Sequence, residues 1–295
     1  MDVKQIPSLL SLSDPVGLGG CRNSGDHFEC CEYNITVMNE KSGELIHRIE
    51  DDLVKVHFCS FNDTSSNTLH QIQNLTIIND EEWKLRMLLS KINEKKEQIA
   101  ISHARSCLVD AGILANRARD CVKIKDPFAS IWIKCACYSL ADAIFCLNFK
   151  RPSPTHMLEI MRSMKKGRIN EKLSTIHQVL GIERSSTSLL SRMVKSTIGF
   201  SDMVENNGSS EIIQRKYEYL VENSLLSDCY FYLGYVNRDN VLRIKNHVRR
   251  NPEFIHILKV ALDMEHDPLV IENQASLLLQ TTHEILGDMQ DNYIL

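Results

Sequence analysis

The stretch GLGGCRNSGDHFECCEYNITVM, Gly17–Met38, decides how the N-terminal part of this chain folds. Two glycines, Gly19 and Gly20, end a short apolar run, and a polar loop follows them. After the loop, apolar and polar residues alternate over Glu32–Val37 with the period of two that is typical of a β-strand. The stretch therefore predicts a strand, a glycine-rich turn and a second strand.

Short apolar segments of the same kind recur through the first 80 residues. A helix is predicted in front of them, over Val3–Leu12. Strands are predicted at PVGLGG, YNITVM, ELIHRI, LVKVHFCSF and NLTIIND. Because these segments follow one another closely, they predict a single small mixed sheet.

Helical spacing of apolar residues continues almost without interruption after this region. Asn79 or Asp80 is expected to cap the first helix, because acidic residues fill the turn that follows. The segment from Asp126 to Phe149 is apolar on most faces, which predicts a buried central helix with Trp132 in the core.

The fold class predicted from this order is α+β, a small mixed-sheet domain followed by an all-α helical region. The predicted divisions are residues 1–80 for the sheet domain, 81–205 for a helical domain packed on it, and 206–295 for a C-terminal helical bundle. The last boundary lies at ENNGSS, Glu205–Ser210, which is the most linker-like run in the chain.

Composition indicates a soluble globular protein: 295 residues, 43% apolar and 24% charged. The formal net charge of -4 gives no basic field, so nucleic acid is not an expected partner. We expect no membrane span and no signal peptide, and therefore a cytoplasmic location. The ten cysteines lack the paired spacing of zinc sites, so we expect thiols that fill the core.

The loop and second strand resemble the signature of the polymerase-β-like nucleotidyltransferase superfamily, which contains a Gly-Ser pair, an Arg-x-Arg-Gly-Asp-like loop and a Ser-Asp-x-Asp strand. Later segments, up to about Arg162, are similar to the minimal, archaeal type with a helical C-terminal region. Backbone N–H groups of such a loop can hold the phosphate oxygens of a nucleotide. The resemblance implies that the nucleotide-binding positions are Gly19, Gly20, Cys21, Arg22, Gly25 and Asp26.

The metal-binding positions depart from this signature. Glu32 and Asn34 stand where the superfamily has two magnesium-binding aspartates, and Cys31 takes the preceding serine. The third acid falls on LVKVHF, where Lys55 takes the matching position. Two like unit charges about 4 Å apart repel by on the order of 4 kcal/mol at an effective dielectric of 20, so Lys55 would oppose magnesium. We therefore expect a degenerate, catalytically impaired site with at most weak metal binding by Glu32, and a role in binding or regulation.

Other interpretations of the same residues stay open. A register shift would bring Asp51 or Asp52 to Glu32 and give an active, magnesium-dependent nucleotidyltransferase. Glu32 and Asn34 could equally form the solvent face of an edge strand. Magnesium is the cofactor expected if the site is active, and the helical region is the expected surface for a protein partner.

A third possibility concerns RNPEFIH, in which Arg250 and His256 have the spacing of helical nucleases of the HEPN class. In such a site an arginine binds phosphate and a histidine acts as general acid or base. Asn251 and Pro252 also fit the start of a helix, which explains the segment without a function. Arg151 and His156 have a similar spacing, interrupted by two prolines.

Overall fold

The computed structural model of the chain describes residues 2–25 and 27–292. Asp26, predicted to belong to the nucleotide-binding loop, lies outside the described residues. In the N-terminal part, each of the five predicted segments forms a strand of one sheet. Its strands are β1 (Val16–Gly19), β2 (Tyr33–Met38), β3 (Gly43–Ile49), β4 (Asp52–Cys59) and β5 (Thr76–Asn79).

The five-stranded sheet is mixed, with the order β3-β4-β2-β1-β5. Strands β2 and β4 are parallel, whereas β1 runs antiparallel to β2 and β5, and β3 runs antiparallel to β4. Apolar residues of β1, β2 and β4 form a small core of their own with Ile6. The sheet and the helices that follow it confirm the α+β fold class.

Helices make up most of the remaining chain. They are α1 (Ile6–Leu9), α2 (Cys21–Ser24), α3 (Ser66–Ile72), α4 (Lys84–Glu94), α5 (Lys96–Lys123), α6 (Ala129–Leu147), α7 (Met157–Ser163), α8 (Leu173–Leu180), α9 (Thr187–Val204), α10 (Ser209–Glu222), α11 (Leu226–Arg243), α12 (Phe254–Ala261) and α13 (Pro268–Asn292).

The ends of the first helices differ from the predictions. The helix expected over Val3–Leu12 is a 3-10 turn followed by the short α1, and Ser11 beyond it has a positive φ of 53°. Helix α4 begins at Lys84, after Trp83 in the left-handed region. Asp80 still caps it, because the Asp80 carboxylate accepts hydrogen bonds from the backbone N–H groups of the first turn at 3.2 and 2.8 Å.

Helix α6 is the centre of the helical region, as predicted. Trp132 and its apolar neighbours on this helix are buried, and α5 packs along it. By length and composition α6 could also cross a membrane, but 94% of its apolar window is buried inside the protein. Its surroundings are those of a core helix.

The predicted boundary at 205–206 falls in the loop before α10. Residues on its two sides share one hydrophobic core, which extends from α5 and α6 to α11, α12 and α13. Helices α10 and α11 also reach back to the sheet, through ion pairs of Arg48 with Glu211 at 2.7 Å and of Arg243 with Glu44 at 3.0 Å. These ion pairs therefore hold α10 and α11 against the sheet.

Candidate functional site

The predicted metal-binding position is occupied by an ion pair. Glu32 directly precedes β2, and its Oε2 lies 2.7 Å from the Nζ of Lys216 on α10. Both side chains are almost fully buried, at 8% and 4% exposure. The ring of Tyr232 on α11 faces the same ammonium at 5.3 Å. A side-chain cation therefore stands beside the one carboxylate at the predicted metal-binding positions.

Both members of the pair are charged. Burial would raise the pKa of Glu32, but the Lys216 ammonium outweighs it and holds this pKa below its ordinary value. Burial would likewise lower the pKa of Lys216, and the Glu32 carboxylate raises it instead. The charges thus compensate each other inside the protein, where a lone charge would be costly.

Asn34, at the second predicted metal-binding position, packs against the glycine turn. Its Nδ2 lies 3.5 Å from Glu32 Oε1. A Cβ atom added at Gly20 would come within 2.6 Å of the same Nδ2, and Gly20 has a φ of 71°. Both the space and the backbone conformation therefore require glycine here. The amide of Asn34 therefore lies between the Gly20 turn and the Glu32 carboxylate.

Lys55 lies opposite Asn34 in the parallel pairing of β2 with β4. Its Nζ, however, contacts Glu44 of β3 at 3.0 Å. Glu44 also meets His57 at 3.6 Å and Arg243 at 3.0 Å. Burial would raise the pKa of Glu44, but the hydrogen bond with His57 and the charges of Lys55 and Arg243 hold it well below its usual range. Lys55 adds to the positive potential at Glu32, but its direct partner is a β3 carboxylate that sequence reasoning missed.

The acids of the alternative site are in contact with arginines. Asp52 Oδ1 lies 3.8 Å from an Arg22 nitrogen, and Arg215 of α10 donates to the backbone carbonyl of Asp51 at 2.7 Å. Within residues 2–25 and 27–292, no three carboxylates converge closely enough to share a metal ion. The register shift that would join Asp51 or Asp52 to Glu32 does not occur in this structure.

Arg22, predicted to bind phosphate, is tied to its own loop and strand. Its Nε donates to the Cys31 carbonyl at 2.6 Å, and its guanidinium lies 4.2 Å from the centre of the Tyr33 ring. Gly25, at the end of the loop, has a φ of 84°. The arginine holds the loop against the start of β2, which is the arrangement of a tight turn.

A cavity of about 500 Å³ opens on the other side of this loop. Four of the predicted nucleotide-binding residues line it: Gly19, Gly20, Cys21 and Gly25. The opposite wall comes from α3, the segment before α7 and α7 itself, with His70, Arg151, His156 and Glu159. The volume is that of a small-molecule site. The cavity does not include Glu32, Asn34 or Lys55 in its lining.

Two wall residues of the cavity have unusual surroundings. His70 is 1% exposed, and neither ring nitrogen has a hydrogen-bond partner of normal geometry. Burial, and then the nearby Arg151 guanidinium, lowers the pKa of His70 to about 4. Arg151 is exposed and donates to the backbone and side-chain oxygens of Asn67, both at 2.9 Å. A neutral imidazole and a fixed guanidinium thus share one wall.

A cluster of thiols and one imidazole closes the inner end of the loop. Cys31 Sγ lies 3.4 Å from His156 Nε2, and Cys21 Sγ is within 4.8 Å of both. The thiols of Cys21 and Cys30 donate to the Cys31 sulfur, which lowers the pKa of Cys31. Burial opposes a charge on His156, but Cys31 raises its pKa above the ordinary value.

All ten cysteines are buried free thiols, as expected for core residues. The convergence of Cys21 and Cys31 with His156 was not predicted, because Cys31 and His156 are 125 positions apart. The local signal was weak, since the two cysteines merely flank the same loop.

The predicted nuclease pair lies on the surface. Arg250 and His256 are exposed, and Arg250 Nη1 lies 3.5 Å from His247 Nδ1. Arg151 and His156, which have a similar spacing in the sequence, instead line the cavity beside the loop.

No protein-family model matches the chain, and no curated protein sequence matches it. Among solved structures, the chain is similar to a nucleotidyltransferase-like protein from Exiguobacterium sibiricum 255-15, at 10% identity and a TM-score of 0.32. The match covers 86% of this chain and 89% of that protein. At this TM-score the likeness carries no argument about the fold or the site.

Proposed function

We propose that the chain is a nucleotidyltransferase-fold protein that has lost metal-dependent transfer and acts by binding or regulation. The observation that carries the proposal is the 2.7 Å ion pair of Glu32 with Lys216. Two-metal transfer needs several carboxylates that share two cations. Here one carboxylate remains, and a buried ammonium already neutralises it.

The proposed ligand is a nucleotide or a similar organic phosphate, bound in the cavity without magnesium. Gly19 and Gly20 bring main-chain groups to one wall, and Arg151 brings a guanidinium to the other. An arginine can bind phosphate oxygens with two parallel hydrogen bonds, which compensates for a missing metal. The apolar and aromatic part of the lining, including Phe28, could pack against a base.

Calorimetric titration of nucleoside triphosphates into the full-length protein tests this proposal. We expect the same affinity in millimolar magnesium as in excess chelator. Arg151→Ala should weaken binding, whereas Arg250→Ala, which removes an exposed arginine elsewhere, should not. Micromolar binding that requires magnesium, or transfer of a labelled nucleotide to any acceptor, would contradict the loss of transfer chemistry.

The protein partner expected for the helical region stays a proposal. Helix α5 exposes Val109 and Ile113, which are four positions apart and therefore lie on one face. In a regulatory protein of this kind, the binding of a partner to such a surface would depend on whether the cavity is occupied.

A further inference from the structure

We propose that Cys21, Cys31 and His156 bind one divalent ion of the zinc type, whose fourth position faces the cavity. The inference is independent of the proposed nucleotide binding. Tetrahedral zinc with sulfur and imidazole ligands is the common arrangement for such a donor set. The ion would lie at a place distinct from the predicted magnesium position at Glu32.

The distances between the donor atoms already suit one ion. With Zn–S near 2.3 Å and Zn–N near 2.1 Å, tetrahedral ligand atoms lie about 3.5–3.8 Å apart. Cys31 Sγ and His156 Nε2 are 3.4 Å apart, and the three donor atoms all lie within 4.8 Å of one another. Small side-chain rotations would therefore bring all three to bonding distance.

The surroundings of His156 are those of a metal ligand. Its second nitrogen, Nδ1, lies 3.5 Å from Glu159 Oε2, so that Nε2 is turned toward the thiols. A carboxylate on the far nitrogen commonly orients histidine ligands and makes them more basic. Phe28 packs on the imidazole at 4.2 Å between ring centres, and Tyr219 of α10 stacks on Phe28 at 5.3 Å. The aromatic layer keeps water from this side.

Charge also balances at the proposed site. Two thiolates and one divalent ion sum to zero, and the neighbouring Glu32–Lys216 pair is neutral as well. A buried site without net charge avoids the desolvation cost of an uncompensated ion. Since Cys21 and His156 line the cavity, a water molecule or a ligand donor can reach the fourth position.

Metal binding would tie three elements together. Cys21 opens α2, Cys31 lies just before β2, and His156 ends the 3-10 turn in front of α7. The ion would hold the cavity loop to the helical region, and its binding should therefore stabilise the fold.

The test uses the reduced full-length chain, titrated with zinc in competition with a chromophoric chelator, and then with cobalt to obtain the absorption spectrum of a tetrahedral thiolate site. We expect one zinc per chain and a melting temperature that rises with zinc. Cys31→Ser and His156→Ala should lose the ion. Glu159→Gln should weaken it by roughly 10-fold or more, as for other residues that orient a ligand.

Cys107→Ser is the matched control, because Cys107 is also buried beside a histidine, 3.7 Å from His103 Nε2, but does not belong to the group of Cys21, Cys31 and His156. It should keep full zinc binding. The wild-type titration decides the proposal even if a ligand variant fails to fold. No zinc uptake by the reduced wild-type chain, a Cys21–Cys31 disulfide in its place, or equal loss in Cys107→Ser would overturn it.

Discussion

The ammonium of Lys216 takes the position beside Glu32 that a metal ion would take in an active nucleotidyltransferase. It neutralises Glu32, but it brings one charge and three N–H donors, and it cannot bridge to phosphate oxygens while buried at 4% exposure. Such a pair contributes little net stability, because desolvation offsets the attraction. Removing one partner is expensive, since the other charge is left buried. The pair is therefore better understood as a fixed occupant of the position than as a source of stability.

The titration of His70 should make the stability of the protein depend on pH. Its pKa is lowered to about 4 in the fold, from an ordinary value of 6.5. As pH falls from about 6.5 to about 4, the unfolded chain takes up a proton that folded His70 does not, so stability decreases by up to roughly 3 kcal/mol. Above pH 6.5 the neutral imidazole has no such effect.

Urea unfolding of the wild type and of His70→Phe between pH 4 and 7.5 measures this effect. The variant keeps a ring and removes the titration, so the stability difference between the two proteins should change steadily below about pH 6.5. Other histidines with shifted pKa values, such as His156 and His177, are shared by both proteins and cancel in the difference. A difference that is constant across this range would show that His70 titrates normally.

Helix α6 determines the packing at the element scale. Trp132 is 0% exposed, and the Arg117 guanidinium of α5 lies 3.6 Å from the centre of its ring. Neighbouring helices surround α6 on all sides, so no face of it can collapse to fill a gap. Substitutions in this helix should therefore cost more than the same substitutions elsewhere.

Trp132→Ala should lower the free energy of unfolding by roughly 3–5 kcal/mol, because it removes buried area and leaves a cavity. Denaturant unfolding gives the value. Met203→Ala on α9 is the control, since Met203 is 60% exposed and should change stability by about 0.5 kcal/mol or less. A loss below about 1 kcal/mol at Trp132 would mean that α6 is not the central helix.

The elements themselves could largely be predicted from the sequence. All five strands follow from local alternation, and α6 follows from its unbroken apolar run. Predicted helix ends were less accurate, because Trp83 adopts a left-handed conformation that no local pattern indicates. Lys216 could not be assigned to the site, since its pairing with Glu32 depends on how α10 folds back onto the sheet.

At the scale of the whole molecule, the C-terminal helices complete the N-terminal site. Lys216 on α10 pairs with Glu32, and Arg243 on α11 pairs with Glu44. The sheet domain alone would therefore leave the buried Glu32 and the partly buried Glu44 without these partners. Lys216 can occupy the predicted metal position only when α10 is folded against the sheet. The substitutions at Asn34 and Lys55 therefore account for only part of the change at this position.

Restoring magnesium binding should accordingly require a change in α10. Asn34→Asp adds a carboxylate next to Glu32, but Lys216 still neutralises Glu32 and occupies the place beside it, so a single uncompensated charge remains for magnesium. Asn34→Asp combined with Lys216→Met leaves two acids unpaired, and millimolar magnesium should then raise the melting temperature. Matched ionic strength in sodium chloride is the control. An equal magnesium response of Asn34→Asp alone would show that Lys216 does not block the position.

A double-mutant cycle of Glu32→Gln and Lys216→Met in the full-length protein measures whether Lys216 takes the place of a metal ion at Glu32. Stability is measured by denaturant unfolding at neutral pH. Lys216→Met alone should cost about 3–5 kcal/mol, because it leaves a buried carboxylate without a partner. The double variant should be destabilised by clearly less than the sum of the single variants, with a coupling energy of about 2 kcal/mol or more. A coupling energy below about 0.5 kcal/mol would show that the two side chains do not form the buried pair.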